Sequence, residues 1–323
     1  MRRRFWLLLP LLSLAGALQA QAPLDLPQQA ASAQPAEAAD YQVLDFDWQD
    51  KSRQREVPVR LYWPAQAASA AVPLVVFSHG LGGSRQGYSY LGRYWASQGY
   101  ASLHVQHVGS DRRIWTGNVF SLIGRLQDAA KESEALDRVR DMRFALDRLL
   151  AAEQGAHIDR QRIVAAGHSY GATTSLLLAG ARPPDAPAGL QDERIRAAII
   201  ISAPPFYGQG APEPILAPVR VPTLHVTATE DVINVPGYHS EAGDRLSVFE
   251  ATGGQRKRLA VFTGGSHSIF TDRAGTGGVT LNPQVKAATR ELTLAFLSSV
   301  FEGREEGLQS WHQRWKPLLA RWQ

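Results

Sequence analysis

Ser169, Asp231 and His267 are residues whose types, order and settings could do chemistry together. Ser169 stands in Gly167-His168-Ser169-Tyr170-Gly171, directly after the apolar run Ile163-Val164-Ala165-Ala166 and directly before the helical-looking stretch Ala172–Ala179. Strand, tight turn and helix with a serine at the apex is the layout of a nucleophile elbow, in which the glycines let the backbone turn sharply and neighbouring elements pack close. A serine hydroxyl is a poor nucleophile at neutral pH. It needs a base to take its proton, and the base needs an acid to orient it and balance its charge. On such an elbow the partners follow in the order serine, acid, histidine.

The apolar run Thr223–Ala228 is followed by Thr229-Glu230-Asp231-Val232-Ile233-Asn234-Val235-Pro236, which sets two carboxylates at the carboxyl end of a strand. Asp231 is favoured because it lies in the loop proper and opens an Asp-x-x-x-x-Pro turn; Glu230 is the alternative. The run Arg258–Thr263 leads into Gly264-Gly265-Ser266-His267-Ser268-Ile269-Phe270, a glycine-rich loop that offers His267 as the base, with His239 as its nearest rival. His168 is expected to pack under the turn, His225 lies inside a strand, and His104 and His107 flank the end of another. Charge that develops on a substrate oxygen needs aimed donors, and backbone N–H groups of Tyr170 and Leu81 are the candidates. Leu81 belongs to Ser78-His79-Gly80-Leu81-Gly82-Gly83-Ser84, whose glycines would let the chain approach a substrate; otherwise the segment is an ordinary strand-to-helix turn. There is no His-Glu-x-x-His motif and no cysteine, so neither a metal site nor a cofactor is expected.

The elements needed to hold these groups can be read from periodicity. Val43–Trp48 and Val57–Trp63 alternate apolar and polar residues and suggest an antiparallel pair at a sheet edge. Pro73–Phe77, Tyr100–Val105 and Ile195–Ile201, with the three runs named above, read as strands; the continuously apolar Pro73–Phe77 suits a parallel strand buried on both faces. A helix is expected to end at Gln98, another to run over 128–152 with Leu136, Val139, Met142, Phe144, Leu146, Leu149 and Leu150 inward, and two more over Pro283–Phe301 and Leu308–Trp322. The alternation predicts an α/β fold with a mostly parallel sheet of about eight strands and helices on both faces. Active groups then gather at the carboxyl ends of the strands. Segment 112–127 carries Trp115, Phe120, Leu122 and Ile123 and reads equally as an apolar lid or acyl pocket at the site or as a helix packing on the core, with Trp115 and Phe120 as candidate substrate contacts; Phe206, beside Pro204 and Pro205, is a candidate for another wall. The apolar face of Trp311, Trp315, Leu318, Leu319 and Trp322 suits docking on the core better than contact with a membrane.

Met1-Arg2-Arg3-Arg4, a short apolar core and the small residues up to Ala20 describe a signal peptide over 1–20, too short and too soon interrupted by Pro10 for a membrane span. Residues 21–40, rich in Ala, Gln and Pro, read as a flexible linker, and 41–323 as a single domain. Secretion or residence in a periplasm is expected. Without cysteine there is no disulfide and no cysteine-linked lipid anchor. The formal charge of +4 includes the three leader arginines; without them acids and bases nearly balance, which argues against nucleic acid as a partner. A monomer is expected.

Ser78-His79-Gly80-Leu81-Gly82-Gly83, His107-Val108-Gly109-Ser110-Asp111 and Gly167-His168-Ser169-Tyr170-Gly171 together resemble the bacterial dienelactone-hydrolase-like and platelet-activating-factor-acetylhydrolase-like group of α/β-hydrolases. The acid and histidine loops are similar to those of cutinase-like polyester hydrolases, and the resemblance covers roughly residues 55–300. It implies the α/β-hydrolase fold, a Ser169–His267–Asp231 triad, an oxyanion hole at Leu81 and Tyr170, and hydrolysis of a small ester, a lipid or a polyester through an acyl-enzyme. The chain departs from dienelactone hydrolase proper, whose nucleophile is a cysteine, and from the many secreted polyester hydrolases that carry a disulfide. The same machinery could cleave amides as a peptidase. A hydrolase fold used only for binding is the third reading, against which the complete serine–acid–histidine order weighs.

Overall fold

The computed structural model describes residues 40–65, 71–273 and 278–323; the expected leader at 1–20 and all of the expected linker except Asp40 lie outside them. The described chain opens with β1 (Tyr41–Asp50) and β2 (Arg55–Pro64), paired antiparallel from Tyr41↔Pro64 to Asp50↔Arg55. There follow β3 (Val72–Ser78), α1 (Ser89–Ser97), β4 (Ala101–Val105), α2 (Leu122–Ala129), α3 (Glu132–Leu150), β5 (Ile158–His168) and α4 (Tyr170–Leu178). The second half comprises β6 (Ile195–Ile201), α5 (Pro212–Leu216), β7 (Thr223–Glu230), β8 (Ile233–Val235), β9 (Tyr238–Ser240), α6 (Ala242–Ala251), β10 (Lys257–Ser266), α7 (Gly278–Glu302), α8 (Glu306–Trp315) and β11 (Leu319–Trp322).

Nine strands form one sheet in the order β1-β2-β4-β3-β5-β6-β7-β10-β11. The run from β4 to β10 is parallel, and antiparallel strands stand at both flanks. Side chains alternate across the sheet, so consecutive residues of the buried strands serve two cores. Leu74, Val76, Ile163, Ala165 and Ile200 meet α3 and α4 on one face. Val75, Phe77, Val164, Ala166 and Ile199 meet α1, α7 and α8 on the other. No helix among the described residues is long and apolar enough to cross a membrane.

Two expectations need correction. The helix expected over 128–152 is two helices broken at Ala130-Lys131, because two apolar stripes face different partners: Leu126 and Ala129 pack on Ile114, whereas Val139, Met142, Leu146 and Leu149 pack on the sheet. The helix expected over Leu308–Trp322 ends at Trp315. Pro317 cannot extend it, and Leu319–Trp322 instead pairs antiparallel with β10. Its aromatic face still docks on the core, with Trp311 buried, its Nε1 donating to the Ala288 carbonyl at 2.8 Å, and its ring 5.0 Å from that of Trp322.

Candidate active site

Ser169 follows the last residue of β5 and precedes α4, with φ 55° and ψ −123°. Such a backbone costs of order 1–3 kcal/mol and persists only where the surroundings over-determine it. The two flanking glycines supply that constraint. A Cβ on Gly171 would overlap the Ser78 carbonyl, and one on Gly167 would overlap the Gly171 carbonyl. The elbow is thus wedged between β3 and its own helix, leaving the serine side chain as the part that protrudes.

The other two candidates converge on it. Ser169 Oγ lies 2.8 Å from His267 Nε2, and His267 Nδ1 lies 2.7 Å from Asp231 Oδ1. Asp231 is buried just past β7; His267 is half-buried just past β10. The second carboxylate oxygen of Asp231 accepts from Thr227 Oγ1 at 2.7 Å, and the buried Arg245 of α6 stands 3.5 Å from the first. Burial opposes ionisation of Asp231, but the hydrogen bond and charge of His267, with the Arg245 guanidinium, outweigh it and hold the carboxyl well below the usual range. The alternatives lie elsewhere: Glu230 is exposed, and the exposed His239 pairs with Glu241 at 2.8 Å.

His168 lies beneath the turn and connects the three loops. Its Nε2–H donates to the His267 carbonyl at 2.9 Å, which leaves Nδ1 to accept from the Tyr88 hydroxyl at 2.8 Å. That hydroxyl in turn accepts from the Gly80 N–H at 3.3 Å. Burial, with a smaller contribution from His267, pushes His168 down to about 3, so it acts as a neutral strut.

The N–H groups of Leu81 and Tyr170 have no hydrogen-bond partner among the described residues. The loop bearing Leu81 presses on the elbow, since a Cβ on Gly80 would come within 3.3 Å of Ser169 Cβ. Its far side is fixed by Gly82 N–H to the Ser110 carbonyl at 2.9 Å and by Trp115 Nε1 to the Gly82 carbonyl at 3.0 Å. These facts leave two backbone donors free on segments that adjoin the serine.

Ser169 and His267 open onto a cleft of about 810 Å³. Leu136, Leu177, Leu190 and Phe206 line it from α3, α4 and the loops around β6; Trp115, Arg112 and Asp272 line it from the segments after β4 and His267. Two of the three suggested pocket residues are therefore present. Phe120 is not: the Asn118 side chain accepts from its N–H and caps a short 3-10 turn that leaves the residue 91% exposed. Segment 112–127 is not a single helix, although Arg112 and Trp115 at its start line the cleft. It forms two 3-10 turns and α2, which packs Leu126 and Ala129 on Ile114 with Leu81 and Val235 nearby.

Several contributors escaped the sequence reading. Tyr88, Thr227 and Arg245 carry no motif. The β8–β9 hairpin puts Val235 and Tyr238 on the cleft; its signal was Pro236-Gly237 between alternating residues, a turn dipeptide with Gly237 at φ 87°. Among the described residues no cluster of His, Cys, Asp or Glu could hold a metal ion.

The family model described as platelet-activating factor acetylhydrolase, isoform II, matches residues 55–121, from the start of β2 to the second 3-10 turn. A platelet-activating factor acetylhydrolase of Cavia porcellus is 23% identical over 235 residues, covering 62% of this chain and 48% of its own. The chain therefore spans about half the length of that curated relative. A ferulic acid esterase from Streptomyces cinnamoneus superposes with a TM-score of 0.60 at 23% identity, over 84% of this chain and 93% of that one. An acylaminoacyl peptidase of Pyrococcus horikoshii does so with a TM-score of 0.55 at 16% identity, over 81% of this chain and 42% of that one. With the parallel sheet and its strand order, these likenesses identify the fold as that of the α/β-hydrolases.

Proposed function

We propose that this chain is a serine hydrolase that cleaves carboxylic esters, with Ser169 as nucleophile, His267 as base and acid, and Asp231 as the group that orients His267. The observation that carries the reading is the unbroken hydrogen-bonded line from Ser169 Oγ through His267 to the buried Asp231, at the wall of a largely apolar cleft. Ser169 Oγ attacks the ester carbonyl carbon while His267 Nε2 takes its proton. Asp231 accepts from His267 Nδ1–H, fixes the tautomer and balances the imidazolium. The carbonyl oxygen, now negative, is met by the N–H groups of Leu81 and Tyr170, donors that need no reorganisation. His267 returns the proton to the departing alcohol, and the acyl group stays on Ser169. Water then gives a proton to His267 and attacks the acyl carbon. The acid leaves, and the proton returns to Ser169.

The names of the curated relative and of the ferulic acid esterase favour esters over amides, and the cleft suits a small ester with an apolar portion. The intact protein is expected to react with a fluorophosphonate probe at Ser169 alone, and to turn over p-nitrophenyl esters much faster than a panel of short peptides. Failure to label, or cleavage of peptides in preference to esters, would reject the reading.

The domain that does this is residues 41–323, and the leader at 1–20 takes it out of the cytoplasm. Its basic start, short apolar core and small closing residues support export. The mature protein is expected to begin near residue 21, as intact mass would read; a mature chain that retains residues 1–20 would remove the export reading.

A further inference from the structure

Arg138 is wholly buried in α3, and the mechanism above does not use it. Its guanidinium ties α3 to three other segments. Nη2 donates to Ser78 Oγ at 3.0 Å and to the His79 carbonyl; Nη1 donates to Ser110 Oγ at 2.7 Å; Nε donates to Thr174 Oγ1 at 3.1 Å. Its carbon sits 4.4 Å from the centre of the Tyr170 ring. Every one of these acceptors is uncharged. The nearest carboxylates are reached through one and two intervening residues: Ser110 Oγ donates to Glu134 at 2.8 Å, and Ser78 Oγ pairs with His107 Nε2 at 2.9 Å, whose Nδ1 lies 3.1 Å from Asp141; both carboxylates also pair with Arg55. Burial lowers the guanidinium to about 10, so it remains cationic at neutral pH.

Ser78, His107 and Asp141 reproduce the residue types and bond order of the line at Ser169. All three are fully buried, and none lines the cleft, so this second Ser–His–Asp line has no access to a substrate. Its place beside Arg138 gives it a different use. Ser78 and His79 lead directly into Leu81, and Ser110 holds Gly82 through its carbonyl. Tyr170 and Thr174 belong to the first turns of α4. One cation therefore fastens both backbone segments that carry the free N–H donors. A buried charge with five good contacts is costly to assemble and costly to disturb, and it is held on a rigid 19-residue helix.

We propose that Arg138 is a positioning residue: it sets the spacing between the Leu81 and Tyr170 N–H groups, and so governs stabilisation of the tetrahedral intermediate rather than binding of the ester. The proposal rests on the serine-esterase reading. The test compares wild type, Arg138→Lys, Arg138→Met and the milder Thr174→Val for kcat, KM, thermal midpoint and affinity for a trifluoromethyl ketone, which adds to the serine as a tetrahedral adduct. Arg138→Met is expected to lose about 10²–10³ in kcat, the scale of one removed oxyanion donor, with KM little changed. Ketone affinity falls in parallel with kcat, and lysine restores part of both. Thr174→Val shows the same pattern on a smaller scale. A lower thermal midpoint with unchanged kcat and ketone affinity in the folded variants overturns the proposal, as does a loss confined to KM. Should Arg138→Met not fold, Arg138→Lys and Thr174→Val decide by the same criteria. Wild type inert to esters and to the fluorophosphonate probe would instead overturn the esterase reading, and this proposal with it.

Discussion

Replacing Ser169 by alanine is expected to lower kcat on p-nitrophenyl esters by about 10⁵–10⁶, to the residual that an oxyanion hole and a binding cleft supply without a nucleophile. The same loss is expected for His267→Ala, and the double variant should fall no further, because the two groups act as one unit. Asp231→Asn should retain more, losing on the order of 10⁴, since the amide can hold the ring but favours the wrong tautomer. Asp231 also neutralises Arg245, so this variant leaves a buried guanidinium without its carboxylate and should unfold at lower denaturant. Ser169→Ala removes only a hydroxyl at the cleft wall and should unfold like wild type. Rates on purified protein, with circular dichroism to verify folding, read all four. Turnover by Ser169→Ala at more than a trace of the wild-type rate would end the assignment.

Lowering the pH from 7 to 5 is expected to cost several kcal/mol of stability, well before carboxylates titrate. His104, His168 and His225 are buried, and burial first of all pushes each down to about 3; His79 and His107 are lowered for the same principal reason. In the unfolded chain a histidine protonates near 6.5. Below that pH the unfolded state takes up protons that the native state refuses, so stability falls as pH falls, by up to about 1.4 kcal/mol per pH unit for each such imidazole. The loss runs from pH ~6.5 down to the native values. Asp231 acts in the same direction but later: its depressed carboxyl contributes stability that is lost only as pH drops below the ordinary aspartate value near 4. Guanidinium midpoints at pH 7, 6 and 5 would show the decline. A flat profile would mean that these histidines are reached by solvent or relax on protonation.

The parts of the fold legible in the sequence are those whose signals are local. The apolar runs of β3, β5, β6, β7 and β10 are buried on both faces, and a strand so placed has no polar side to obscure its pattern. β11 was missed because its identity depends on β10 lying beside it, nearly sixty residues earlier, and its aromatic spacing fits a helix as well. The halves of the candidate site differ in the same way. Glycine spacing around Ser169 reflects backbone collisions within a few residues, so it can be read directly. The choice of Asp231 over Glu230 turns on which of two neighbours faces inward, and Phe120 faces solvent although its type suggests a pocket. Arg138 was hidden by its charge. Glu134, Arg138 and Asp141 fall at i, i+4 and i+7 on one stripe of α3, and charged residues in that spacing ordinarily mark a wet face. Met142, Ala145 and Leu149, which continue the same stripe, were the clue that it is dry.

β5 is the middle strand of the nine, with four neighbours on each side. Proteins open from their margins inward, and the interior of a sheet exchanges its amide protons only when the whole unit comes apart. The strained turn at Ser169 is therefore attached to the segment least able to yield. Relaxing that single residue to an ordinary backbone would require β5 to shift between β3 and β6, so the conformation is trapped by cooperativity rather than by any one contact. Asp231 and His267 arrive from strands nearer one margin. Of the three candidate residues, Ser169 is the one anchored to the strand farthest from either margin.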